Sequence, residues 1–259
     1  MPLSPPPEMR TREAILAYGE FGSGKSLGWA TIADVYRMTE TPGHFHIIST
    51  EWQRALQIAE AYPNFDKNCT IYEVEDFEGL LATSKDIKAV ATSDDWFVVD
   101  SLGNAQLWVR NEWFDSNMGN RTYREWMGDG GTAKEIGPAG WVTMTNRYRS
   151  WSGPYVERFP GHKYACAQAA RTSTEGTFAD KGLVKALYER VGWKPEAEKE
   201  SGYLFRTVLL ASKPTADTHE LTTIKDSPGR DYLKHVAVAP LPLGIVQSYL
   251  IDVAKWSLT

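Results

Sequence analysis

The chain of 259 residues has little cysteine, no long apolar run and no excess of positive charge. Two cysteines, Cys69 and Cys166, are too few for a disulfide framework, and no charged-then-apolar leader precedes them. Both features lead us to expect free thiols and a cytoplasmic setting. No apolar stretch approaches the roughly 18 residues of a membrane span, so a membrane partner is not expected. Lys and Arg number 28 against 33 Asp and Glu, for a net charge of -5. That balance excludes a cationic coat for nucleic acid and requires any such contact to be local. Low-complexity sequence is confined to Pro2–Pro7, read with the rest of residues 1–11 as an extended lead-in, and no internal repeat is present. Residues 12–259, in a chain 42% apolar, suffice for one α/β core and form a single expected domain.

What is present is an alternation of two periodicities. Ala14–Tyr18 (AILAY) is short and apolar with glycine after it, the pattern of a strand buried on both faces. Helical spacing runs from Lys25 to about Arg37. His44–Thr50 reads as a second strand, with a helix over Glu51–Ala61 behind it. Cys69–Val74 and Trp96–Asp100 are further strands, separated by a helix near Phe77–Thr83. Such alternation implies βαβ crossovers and a mainly parallel central sheet flanked by helices. Ser101–Gly137 has poor periodicity and reads mostly as loop; a helix over Trp141–Ser150 and a strand over His162–Ala169 follow. Tyr203–Ala211 and Glu220–Ile224 flank a turn and read as a C-terminal antiparallel hairpin. Val246, Tyr249, Leu250 and Val253 share one face of a last expected helix.

Between the first strand and the first helix stands Gly19-Glu20-Phe21-Gly22-Ser23-Gly24-Lys25-Ser26, the pattern GxxxxGKS, with Leu27 following it. A strand and a helix on either side are the context in which this pattern cradles phosphates. Its glycines let successive N–H groups turn inward, and the new helix offers unpaired donors and the positive end of its dipole. Lys25 would neutralise β- and γ-phosphates, and the Ser26 hydroxyl would ligate Mg²⁺, which prefers oxygen. The bland alternative is a glycine-rich turn that only matches the letters. Asp100, ending a buried strand, would hold the same metal through water; a strand-ending turn aspartate is its alternative. The residue after it is Ser101 rather than an acid, so the base that orients water is sought elsewhere. Glu51 at the carboxyl end of the second strand is the candidate, against the reading of an acid that merely favours its helix dipole.

The segments YGEFGSGKS, HIISTE, FVVDS and YACAQ together resemble the RecA-like P-loop ATPase core of recombinases and hexameric helicases. In its compactness the chain is most similar to phage-encoded RecA-like ATPases of single-strand annealing and recombination. The resemblance covers about residues 12–235. It implies a RecA-like fold, ATP and Mg²⁺ as cofactors, and assembly into a ring or filament on single-stranded DNA in the host cytoplasm. A single-strand-binding protein becomes a possible partner. By the same resemblance Glu51 is the catalytic glutamate, Gln168 senses the γ-phosphate, Lys225 reaches a neighbouring subunit's nucleotide, and Arg230 accompanies it. Ser227, Pro228 and Gly229 widen the usual spacing between these last two. The rival readings are a P-loop nucleotide or small-molecule kinase, a DNA-packaging or remodelling motor, and a non-hydrolysing nucleotide-gated module.

For DNA, the resemblance points to the segments Gly103–Gly137 and Arg171–Lys185. Arg110, Arg121 and Arg124 lie in the first among Trp108, Trp113, Tyr123 and Trp126, with Glu112, Asp115, Glu125, Asp129 and Glu135 opposing them. Arg171 opens the second. Arg147 and Arg149, with Arg158 and Lys163 around Tyr148 and Trp151, form a more basic cluster. Stacking aromatics beside cations suit a single strand, whereas core packing and a solvated helix face are the alternatives.

Overall fold

The computed structural model describes residues 3–4, 12–62, 64–119, 121–173, 180, 182–199, 201–215, 218–226, 235–238, 250–251 and 256–258. In chain order these form β1 (Ala14–Gly19), α1 (Lys25–Met38), β2 (Phe45–Ser49), α2 (Trp52–Ala61), β3 (Cys69–Glu73), α3 (Phe77–Val90), β4 (Trp96–Asp100) and α4 (Leu102–Asn117). Next come α5 (Tyr123–Gly128), α6 (Ala133–Trp151), β5 (His162–Arg171), α7 (Gly182–Tyr188), β6 (Trp193–Pro195), α8 (Ser201–Leu204), β7 (Thr207–Thr215), β8 (Thr218–Asp226) and β9 (His235–Val238). Leu3–Ser4 of the lead-in pairs antiparallel with Ser257–Leu258. Of the last expected helix, Leu250 is described and buried; Val246, Tyr249 and Val253 lie outside the described residues, as does Arg230.

The central sheet runs in the order β9-β8-β7-β1-β5-β4-β2-β3, with β6 pairing β5. Every neighbour from β7 to β3 is parallel, and β7–β8, β8–β9 and β5–β6 are antiparallel. The expected mainly parallel sheet with flanking helices and a C-terminal antiparallel hairpin is therefore present. Residues of β1 alternate between two cores. Ile15 and Ala17 join Trp29, Ile32 and Trp96 beneath α1, while Leu16 and Tyr18 join Phe77, Val109 and Trp151 beneath α3, α4 and α6. Burial on both faces is why β1 reads as an unbroken apolar run. Among the described residues no helix is long and apolar enough to cross a membrane.

One expectation is overturned. Ser101–Gly137 is largely helical, not loop, because α4, α5 and the start of α6 occupy it. Only Leu102, Ala105, Val109 and Phe114 of α4 are fully buried, while tryptophans sit half-buried on the flanks, so the apolar stripe is blurred. The two helices after it declare themselves by capping instead: Thr122 with Glu125 and Thr132 with Glu135 each form a reciprocal capping box. Gly137, at φ 67 and ψ 169, kinks α6 before Pro138.

Candidate functional site

The segment Glu20–Gly24 leaves the carboxyl edge of β1 and delivers the chain into α1. Gly19 is obligatory there for a packing reason, since a Cβ would stand 2.0 Å from the Ala211 carbonyl oxygen on β7. Gly24 has φ +90, a left-handed conformation that favours glycine, and the ring of His219 on β8 covers it, 3.2 Å from where a Cβ would be. The His219 ring nitrogen Nδ1 also lies 3.2 Å from the Ser23 carbonyl oxygen. Helix α1 carries no side-chain cap and no acid in its first turn. Its leading N–H groups and positive dipole end thus face the loop interior, where an anion would satisfy them.

Lys25 is buried and folds back over the loop, donating to the Gly19 carbonyl at 2.8 Å, the Glu20 carbonyl at 2.6 Å and Ser23 Oγ at 3.3 Å. The ammonium therefore already stands inside the cradle, held by carbonyls that a phosphate would replace. Its own carbonyl accepts 2.9 Å from the Tyr164 hydroxyl, and burial raises the Tyr164 pKa so that it stays a donor. Ser26 is also buried, and among the described residues its Oγ has no hydrogen-bond partner. An orphaned hydroxyl in a packed site calls for a missing partner.

Across the loop, Asp100 ends β4. Its Oδ2 accepts a 3.1 Å hydrogen bond from Nε1 of Trp29, one helical turn past Ser26 on α1. Since residues three apart share a helix face, this bond brings Asp100 over the turn that bears Ser26. The residues present suit a hard divalent cation bound through a hydroxyl, water and a carboxylate, with phosphate oxygens completing the shell. Among the described residues no cluster of three His, Cys, Asp or Glu could hold a metal unaided.

Ser49 is the register partner of Asp100, so Glu51, two residues further, projects past it at the same sheet edge. Thr50 ties the two strand ends together. Its Oγ accepts from Ser101 N at 2.9 Å and from Asn104 Nδ2 at 2.9 Å, and its N–H donates to the Asp100 carbonyl at 2.8 Å. The Asp100–Ser101 peptide is cis. Glu51 is half-buried and stands at the N-cap of α2, yet its side chain makes no capping bond there. Gln168 on β5 is the register partner of Gly19, and its carbonyl accepts 2.7 Å from Glu196 N. Lys25, Ser26, Asp100, Glu51 and Gln168 are thus gathered along one sheet edge. Phe21, 86% exposed, stands with exposed Glu20 and Gly22 on the outer side of the loop, and Leu27 is half-buried behind it.

Lys225 is not part of this cluster. Its strand neighbour Val208 pairs with Leu16, which places it three residues back along β1, about 10 Å below Gly19. There it donates to the carbonyls of Gly202 at 3.0 Å and Phe205 at 2.7 Å, and burial lowers its pKa. The arginines proposed for DNA are dispersed among local contacts. Arg121 pairs with Asp129; Arg147 pairs with Glu78 and with Glu112 at 3.0 Å. Arg110 lies over Tyr123 and Arg171 over Trp193, at 4.4 and 3.9 Å from the ring centres. Arg124 and Arg149 are exposed, whereas Trp126, Tyr148 and Trp151 are buried in the core. Trp29, Thr50, Tyr164 and His219 are site residues that motif reading passed over. Trp29 had a signal, its three-residue spacing from Ser26. His219 had none, because only the hairpin return brings it to the loop.

No protein-family profile matches the chain, and no curated protein matches it.

Proposed function

We propose that this chain is a RecA-like, Mg²⁺-dependent ATPase that acts on single-stranded DNA in phage-type recombination or annealing, as an oligomer with nucleotide between subunits. The observation that carries the nucleotide reading is the buried hydroxyl of Ser26, without a partner among the described residues, beside the buried ammonium of Lys25 under an uncapped helix N-terminus. Such an arrangement is costly in an empty protein and is relieved when a polyphosphate and its cation enter. Mg²⁺ bound there would neutralise charge developing on the phosphate oxygens.

The chain's own residues supply position and field. Lys25 exchanges the carbonyls of Gly19 and Glu20 for β- and γ-phosphate oxygens. Asp100 keeps one carboxylate oxygen on Trp29 and has the other for the water shell of the cation. Glu51, set beyond Asp100 by the Thr50 tie, accepts a hydrogen bond from the attacking water and holds it in line. Gln168, beside Gly19, contacts the terminal phosphate. A role for Lys225 in a neighbour's site requires it to leave the carbonyls of Gly202 and Phe205. DNA contact rests on the resemblance and on the exposed Arg124 and Arg149.

Phosphate release from ATP, measured with and without single-stranded DNA alongside particle size in a non-hydrolysable nucleotide, tests the reading. Stimulated release, abolished by Lys25→Ala, is expected. A phosphorylated small molecule as the product would make the protein a kinase instead, and failure to bind any triphosphate would end the proposal.

A further inference from the structure

A second cavity, of about 320 Å³, opens between α4, α6 and the segment 182–199, outside the phosphate cradle. Its volume is in the range of small-ligand sites. Three aromatic side chains, Tyr123, Trp141 and Tyr188, line it. Tyr188 is buried, with its hydroxyl packed against Gly202, whereas Trp141 is half-buried. Arg110, also in the lining, is partly buried against the Tyr123 ring, and burial lowers its pKa. Among the described residues no carboxylate lies within ion-pair distance of it.

The charges around the cavity cancel. Lys194 is committed to Asp180, and the lining also carries Arg110 and Lys199 with Glu196 and Glu198. A polyanion gains nothing from such a balance. A planar uncharged group with acceptors on one side and donors on another does, because the rings stack on its faces while the guanidinium and carboxylates meet its edge. Guanine has that edge: O6 and N7 accept from an arginine fork, and its ring and exocyclic N–H groups donate to a carboxylate.

We propose that this cavity is a nucleobase pocket selective for guanine, presented by a free nucleoside or by a single strand. The pocket is linked to the loop Gly19–Ser26 through packed neighbours. Tyr188 packs edge-on against Tyr18 at 5.8 Å, Tyr18 directly precedes Gly19, and the main chain of Glu196 is bonded to that of Gln168. Any effect of the base on turnover rests on the ATPase reading; binding itself does not.

Equilibrium dialysis of labelled guanosine against the full chain tests it. Saturable uptake at one site per chain is expected, with thymidine bound more weakly. Arg110→Gln weakens it about tenfold, and Trp141→Ala, which removes a half-buried stacking ring from the lining, by a similar factor. Lys25→Ala leaves it unchanged even if triphosphate binding is lost, which separates this pocket from the cradle. A guanine-bearing single strand that competes with guanosine identifies nucleic acid as the source, and one that does not identifies the nucleoside. Absence of saturable uptake, uptake unaltered in a folded Arg110→Gln or Trp141→Ala, or uptake abolished by Lys25→Ala overturns the proposal.

Discussion

The indole N–H of Trp29 is bonded to Asp100 Oδ2 at 3.1 Å, so a residue of the first helix fixes the carboxylate at the end of the fourth strand. Replacing it with phenylalanine keeps an aromatic ring, although a smaller one, and loses the donor. We expect Trp29→Phe to bind nucleotide in the absence of Mg²⁺ as the parent does, and to need roughly tenfold more Mg²⁺ for half-maximal phosphate release. A magnesium titration of turnover reads this directly. An unchanged midpoint would leave Trp29 a packing residue only.

Ser26→Ala separates stability from function. The Ser26 hydroxyl has no partner among the described residues, so its removal leaves no buried group unsatisfied. The melting temperature of the ligand-free variant should equal or exceed that of the parent, while Mg²⁺-dependent turnover is lost. A clear drop in melting temperature would mean that the hydroxyl already serves the fold.

For Glu51→Gln the expectation is nucleotide affinity within about twofold of the parent and turnover lower by about a hundredfold or more, the scale of a lost general base. Binding is read by dialysis of labelled ATP and turnover by phosphate release. Loss of both would show that Glu51 serves the α2 terminus instead.

Gly19→Ala should fail by overpacking rather than by chemistry. The added methyl would sit 2.0 Å from the backbone oxygen of Ala211, which cannot rotate aside. A loss of about 1–3 kcal/mol in denaturant unfolding is expected without any nucleotide present. Equal stability of variant and parent would show that β7 can yield.

His162 gives the protein an acid limit. It is buried, stacks on Trp96, and accepts the Glu13 N–H on Nδ1 at 2.9 Å. Burial first, and Arg12 second, lower its pKa to about 4. The unfolded chain, with a histidine near the ordinary 6.5, then binds the proton more readily than the folded one. Stability is therefore full above about pH 6.5 and declines as pH falls toward 4, by up to about 3 kcal/mol from this residue. His44 and His46, also lowered mainly by burial, act in the same direction. Denaturant midpoints from pH 7 to 4.5 should fall in the parent and fall less steeply in His162→Asn. Identical slopes would remove His162 as the cause.

Much of this architecture was legible in the amino acids. Strands β1 and β4 are apolar on both faces, and their runs ended where glycine or aspartate stood. The place of Gly19–Ser26 between β1 and α1 was legible because glycine and polar residues interrupt two periodic segments, and the places of Glu51 and Asp100 because each stands at or just past the end of an apolar strand. The helices over 102–136 were missed because half-buried tryptophans broke the stripe, although the capping boxes at Thr122 and Thr132 marked two of them. His219 and the stance of Lys225 depend on the register between β7 and β8, which a local pattern does not contain. The cavity beside Tyr188 is likewise built from four separate stretches and has no signature in any of them.

The phosphate-loop strand β1 lies between β5 and β7, and both belong to later parts of the chain. A ribosome that has released only the first hundred residues or so has therefore emitted the GxxxxGKS motif with its strand still unpaired on either side. On the proposed reading, nucleotide competence is acquired only after distant segments close around it, so loop-closure entropy is met before the motif is framed. Fragments cut upstream of residue 207 would carry the whole motif and an open sheet edge in its place.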